Sequence, residues 1–495
     1  MVVTSTYSRR ASLKQVSLIF ACGTALFSDG YSNGVIGSGV LTCLLLTRIY
    51  GAEEVAKVNY STTLSSVAFA GMIVGMLSFG YMSDKLGRKF GMMLATGIVA
   101  VFSGLSAASS GAHHSIGGML SMLSAMRFLI GIGIGAEYPC GSVASSEQSE
   151  EPVISKYAQH RWVVLAGNTA IDFGFVIAAF VPLVLVWIFG EDHLRAVWRL
   201  SLGLGMVPAI GVLLWRLRMQ EPARYRKDSM VRSKTPYWLV IRRYWKSLAA
   251  ISVVWFIYDF ITCFDIYSSI VVDNITGNSS SLTVVFGWNV VINLFYMPGT
   301  IIGAFVIDYI GPKYTLIMGL LCQAVIGFIM SGLYVQLTNH IAAFAVVYGI
   351  FLSFGEFGPG NCTGILAVKT GPTAIRGQFY GIAAAVGKVG AFIGTWVFPI
   401  MINDFGGPTT TKGNTGPFWV GSGLAIFSAL ITIFFIKPIE HDGMAKEDRL
   451  FREYLEANGY DTSQMGLIET PTESFSEEDG SEKDTTVIGE NPMIV

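Results

Sequence analysis

Four carboxylates stand inside long apolar runs of this 495-residue chain: Asp29 in "FSDGYSNG", Glu137 in "GIGIGAEYPCG", Asp172 in "NTAIDFGF" and Asp259 in "WFIYDF", with Asp265 a marginal fifth. A carboxylate at the centre of a bilayer helix costs roughly 2.5–3.5 kcal/mol on the gentler insertion scale, so each must return something. Desolvation disfavours the ionised form of a carboxyl, which suits such a group to pick up and release a proton near neutral pH. The six histidines lie in loops or at the ends of apolar runs, so protons crossing the middle must ride on carboxyls. The competing reading of each acid is a structural hydrogen bond between helices, and for Asp172 and Asp265 it is at least as strong. Arg127 lies ten residues before Glu137, about 15 Å along the same helix. That depth matches Asp29, and an Asp29–Arg127 ion pair that loosens when Asp29 takes a proton is expected.

The elements that must position these groups follow from composition. The chain is 52% hydrophobic and only 14% charged, where a soluble domain is nearer one quarter charged. An all-α, polytopic membrane protein is expected, lying in the lipid bilayer. Windows of about 20 apolar residues mark twelve spans, at 16–40, 62–82, 90–109, 117–143, 161–189, 197–217, 248–271, 284–309, 314–336, 341–367, 377–402 and 417–436. The connection between the sixth and seventh spans carries ten basic residues against two acidic ones, which places it, and with it both termini, in the cytoplasm. The sequons at Asn59, Asn274 and Asn278 then fall outside, as glycosylation requires; a fourth at Asn361 sits within a span and is discounted. The six cysteines lie within apolar segments and imply no disulfide framework. The expected division is a cytoplasmic N-terminus (1–15), a six-helix half (16–217), a basic linker (218–247), a second half (248–436) and an acidic, largely disordered tail (437–495). Neither the basic body nor the acidic tail has the character of a nucleic-acid binder.

The two halves repeat. "GYMSDKLGRKFG" after the second span is matched by "GAFVIDYIGPKYT" after the eighth, Asp29 by Asp259, and the glycine-rich fourth span by the tenth, with an offset of about 220–230 residues. Parallel repeats of this kind hold substrate near the midplane between the halves. Gly80, Asp84, Gly87, Arg88 and Lys89, together with "RFLIGIGIGAEYP", resemble the signatures of the major facilitator superfamily over residues 15–440. In that reading the first set is a charge latch, or gate, at cytoplasmic helix ends.

"FSDGYSNG", "GIGAEYP", "WFIYDF" and "AAAVGKVGAFIG" further resemble the phosphate:proton symporter branch. The resemblance implies proton handling by Asp29 and Glu137, and phosphate contacts from Tyr138, Asn168, Trp255, Asp259 and Lys388. Lys388 supplies a point charge for an anion, and Asp259 beside that anion requires a proton on the acid or shared with the substrate. Two positions depart from the branch: Cys263 replaces a tyrosine, and "FGPGNCTG" puts Gly360 where an asparagine belongs and Asn361 one residue later. Both changes remove volume and a donor, which suits a larger ligand. The combination closely resembles the fungal glycerophosphodiester permeases, which import glycerophosphoinositol or glycerophosphocholine with protons. The implied protein is a plasma-membrane symporter working as a monomer, with no cofactor, no metal and only protons co-transported. Glu356, Thr363 and Asn289 are candidates to meet the headgroup. The rival readings are an inorganic phosphate symporter of the same fold, a sugar porter suggested by "QEPARYR", and a nutrient sensor. With no nucleophile elbow, intramembrane histidine box or metal-spaced cluster, the sequence gives no sign of an enzyme.

Overall fold

The computed structural model describes residues 2–37, 45–51, 60–262, 281–407 and 409–466. In hydrocarbon, backbone N–H and C=O groups must be satisfied within their own segment, so the apolar runs fold as helices. Eleven helices among the described residues are long and apolar enough to cross a membrane: Thr62–Leu86, Arg88–Ala107, Ile116–Ser149, Lys156–Phe189, Glu191–Arg216, Tyr237–Thr262, Leu282–Ile310, Pro312–Gly332, Ile341–Thr370, Arg376–Asp404 and Thr411–Phe435. These are spans 2 to 12. Span 1 is the stretch Val2–Gly23 and Phe27–Gly37, joined by one 3-10 turn at Thr24–Leu26. Span 7 begins at Tyr237, well before the expected residue 248. Its early turns carry the exposed Trp238 and Trp245, the amphipathic rings favoured at membrane–water boundaries.

Spans 2 and 4 meet through glycine. A Cβ on Gly71 or Gly75 would stand 2.1 or 2.2 Å from the carbonyl oxygens of Phe128 or Ile132, and one on Gly131 or Gly135 would stand 2.2 Å from those of Ala68 or Met72. Two small-xxx-small pairs thus bring the backbones into direct contact, the packing available where lipid removes any hydrophobic drive. The two sets of six spans touch along span 2 against span 11 and span 5 against span 8.

The repeat shows as matching defects. Span 4 is interrupted by a π turn at Tyr138–Ser142 and span 10 by one at Glu356–Gly360, each containing a proline, Pro139 or Pro359. Proline removes a helical hydrogen bond, and an extra residue in the turn re-aims the side chains around it. Span 5 breaks at Gly167, immediately before Asn168. The tail, expected to be largely disordered, is described to residue 466 and forms a helix over Gly443–Ala457. Met444, Phe451 and Leu455 are its buried face.

Candidate functional site

The two π turns and the Gly167 break all open onto one cavity of about 190 Å³ between the halves. Its lining includes Asp29, Arg127, Tyr138, Asn168, Asp172, Trp255, Asp259, Glu356, Asn361, Thr363 and Lys388. The residues carried over from the symporter pattern therefore converge, with the exception of Glu137.

At one end Lys388 Nζ lies 3.2 Å from Asp259 Oδ2 and 5.5 Å from the centre of the Tyr138 ring. Trp255 and Tyr380 complete an aromatic cluster, their rings 5.5 Å apart and each 6.4 Å from Tyr138. The Tyr138 hydroxyl donates to Asp29 Oδ2, and Asn33 Nδ2 donates to Asp29 Oδ1 at 2.6 Å. Asp29 and Asp259, the repeat pair, thus face the same space with different partners: neutral donors for one, an ammonium for the other. At the other end Asn168 Nδ2 donates at 2.9 Å to both Glu356 Oε2 and Asn361 Oδ1. The Tyr258 hydroxyl donates to Glu356 Oε1 at 2.7 Å, and Thr300 donates to Asn361 Oδ1 at 3.0 Å. Thr300 and Tyr258 belong to this network without having been singled out by sequence. Their signal was one of position only, polar groups on apolar helices. Asn289 donates to Val285 within its own helix and is not part of the cavity lining.

Glu137 points elsewhere. Its Oε1 accepts at 2.7 Å from Arg216 Nη1 and at 2.7 Å from Thr96 Oγ1. Arg216, fully buried, also donates to the carbonyls of Ala21, Cys22 and Met92. Glu137, expected to handle protons, does not line this cavity and pairs instead with a buried arginine at the end of span 6. The expected Asp29–Arg127 pair is not formed either. Arg127 Nη1 donates to Ser32 O at 2.9 Å, and both Asp29 oxygens are occupied as above. Asn59, Asn274, Asn278, Cys263 and Asp265 lie outside the described residues.

The five latch residues form a second site, on the face that carries both described terminal segments. Gly87 takes φ +112°, a conformation L side chains rarely adopt. Asp84 caps the N-terminus of span 11, accepting from Gly377 N and Gln378 N at 2.8 Å each, where negative charge and the free N–H groups attract. Arg88 Nη1 donates to Asp84 Oδ1 at 2.6 Å and its Nη2 to Glu147 Oε1 at 3.2 Å. Arg376, across the seam, reaches the same Glu147 oxygen at 3.0 Å. Gly80 allows this approach, since a Cβ there would be 2.8 Å from Gly377 O. Lys89 donates to Leu217 O at 3.1 Å. Glu221 of "QEPARYR" accepts from Arg88 N and Lys89 N at 3.0 Å; burial, opposed by these bonds, pushes its carboxyl above the ordinary value. The repeat supplies a mirror latch: Asp308 accepts from His160 N at 3.1 Å at the start of span 5. The tail joins in through Asp448, whose Oδ1 accepts from Thr373 N at 2.6 Å and pairs with Arg376 at 3.3 Å, while Oδ2 meets Arg224 at 3.4 Å.

Comparison with known proteins gives three findings. The profile of a family described as "Sugar (and other) transporter" matches residues 16–228 and 226–451. A glycerophosphocholine permease of Candida albicans is 45% identical, covering 97% of this chain and 90% of that protein, and a major glycerophosphoinositol permease of the same yeast is 43% identical, covering 94% and 86%. Among solved structures, the proton:xylose symporter XylE superposes with a TM-score of 0.71 over 89% of this chain and 99% of that one, at 18% identity, which speaks for the fold.

Proposed function

The chain belongs to the sugar (and other) transporter family, and from that premise we propose that it imports glycerophosphodiesters such as glycerophosphoinositol or glycerophosphocholine together with protons, by alternating access. It is a multi-pass membrane transporter, not an enzyme. The observation that carries the reading is the Lys388–Asp259 ion pair set against Tyr138 and Asp29 in one cavity between the halves. An arriving phosphodiester anion competes with Asp259 for the Lys388 ammonium. Protonation of Asp259 releases the lysine to the phosphate; later ionisation restores the pair and expels the anion. Tyr138 can turn its hydroxyl from Asp29 to a phosphate oxygen, which ties the occupancy of Asp29 to that of the substrate. The full-length likeness to the two yeast permeases supports the phosphodiester class.

In this cycle the latch face is cytoplasmic, both termini lie there, and the membrane is the plasma membrane. The latch holds that side shut until the loaded halves rock. The monoanionic glycerophosphoinositol carried with one proton is electroneutral and draws only on the pH difference, worth about 1.4 kcal/mol per unit; the zwitterionic glycerophosphocholine with one proton, like the monoanion with two, also gains about 2.3 kcal/mol per 100 mV of inside-negative potential. The test is uptake of labelled glycerophosphoinositol, glycerophosphocholine and phosphate at pH 5 and 7 in cells lacking their own carriers. Phosphodiester uptake stimulated at pH 5 is expected. Uptake of phosphate alone, or phosphodiester entry indifferent to pH, would refute the proposal.

A further inference from the structure

The charges lining the cavity do not balance. Among the described residues, the charged lining is Asp29, Asp172, Asp259 and Glu356 against Arg127 and Lys388. Asp259 has Lys388, and Asp29 has its two neutral donors. Glu356 is held by the Asn168 amide and the Tyr258 hydroxyl, again without a cation. Asp172, one helical turn beyond Asn168 and only 1% exposed, has Thr300 as a hydrogen-bonding neighbour, yet its Oδ2 accepts no hydrogen bond among the described residues. A buried carboxylate oxygen without a partner is costly and calls for one, whether a proton, an ordered water, an ion or a ligand group. Close by on the same cavity wall are the Phe175 and Tyr296 rings, 5.6 Å apart.

Resting on the phosphodiester reading above, we propose that Asp172 and Glu356, walled by Phe175, Tyr258 and Tyr296, form a subsite for a cationic headgroup of the quaternary ammonium type. A phosphodiester with such a headgroup carries both charges the cavity needs: its phosphate meets Lys388, and its cation meets the acids at the Asn168 end. Trimethylammonium has no N–H to donate, so it is recognised by net negative charge and aromatic faces, and this wall offers both. A neutral polyol headgroup brings hydroxyls but no charge, and leaves the excess of acids to be met by protons.

The test uses the intact transporter in cells and compares two competitors of labelled glycerophosphocholine uptake. One is unlabelled glycerophosphocholine; the other is its neutral isostere, in which 3,3-dimethylbutanol replaces choline. The wild type should favour the cation by about tenfold or more in inhibition constant, or about 1.4 kcal/mol. That ratio should fall to about twofold or less in Asp172→Asn, and fall in Glu356→Gln, with surface amount measured for each variant. Equal inhibition by the two competitors in the wild type needs no variant and overturns the subsite while leaving phosphodiester import standing. An unchanged ratio in both variants also overturns it. Absence of labelled glycerophosphocholine uptake while labelled glycerophosphoinositol still enters overturns the subsite alone; absence of both overturns the import reading and the subsite with it.

Discussion

Replacing Glu137 with Gln separates a structural acid from a proton carrier. The Arg216 guanidinium has no exposure and Glu137 is its only carboxylate within ion-pair distance among the described residues. Removing one partner of a buried pair costs about 3–5 kcal/mol because the other charge stays behind. The glutamine amide oxygen can still accept from Arg216 and Thr96, so the expected loss is at the lower end, about 3 kcal/mol. That shifts the folded-to-unfolded ratio by roughly a hundredfold. In detergent, Glu137→Gln should melt well below the wild type and reach the cell surface in smaller amounts. Uptake per surface molecule should keep the wild-type pH profile. Combining it with Arg216→Met should recover part of the lost stability, because the orphan charge is gone; the three carbonyls that Arg216 served remain without it, so recovery is incomplete. A variant that melts like the wild type yet has lost its pH dependence would refute this account and return Glu137 to the proton path.

Lys388→Gln should reduce phosphodiester uptake by about a hundredfold, the worth of a charge-assisted contact of 2–3 kcal/mol, with normal surface amount; uptake within threefold of wild type would remove Lys388 from the site. Asp84→Asn weakens the cap on span 11 by about 1 kcal/mol, and should raise severalfold the alkylation rate of a cysteine placed at cavity residue Ser145 when reagent is applied from the latch face. An unchanged rate would mean the cap does not hold that face shut. The tail should stay docked at the pH of uptake assays: a hydrogen bond from Lys156 holds the Asp442 carboxyl below its ordinary 3.8. Its contribution is therefore complete above about pH 4 and is lost only as pH falls through the depressed value. Both partners are well exposed and screened by solvent, so the loss is small. Protease sensitivity of the tail rising already between pH 7 and 5 would contradict this.

The spans were readable from sequence because lipid leaves the backbone a single solution, and runs of twenty apolar residues have one interpretation. The cavity residues Tyr138, Trp255, Asp259 and Lys388 were readable as a pattern, since their neighbours form recognisable strings. Glu137 was not readable in its true setting. Its partner lies 79 residues away at the end of span 6, where Arg216 counted as one more basic linker residue. The facing of Glu356 depends on a π turn, and nothing local to "GEFGPG" states which side an extra residue will push. The tail helix left a usable sign that composition hid: Met444, Phe451 and Leu455 fall on one helical face, at spacings of seven and four, within a stretch dominated by charge.

The glycine seam between spans 2 and 4 has a mechanical consequence. Span 4 leaves its regular turns after Glu137, with Tyr138 beside the cavity, and the last turn of span 2, which runs to Leu86, carries Asp84. Because their backbones already touch at Gly71, Gly75, Gly131 and Gly135, no side chain lies between them to compress or to rotate out of the way. On the transport reading proposed above, the pair acts as one rigid unit, and a shift imposed at Tyr138 is carried to Asp84 rather than absorbed between the two helices.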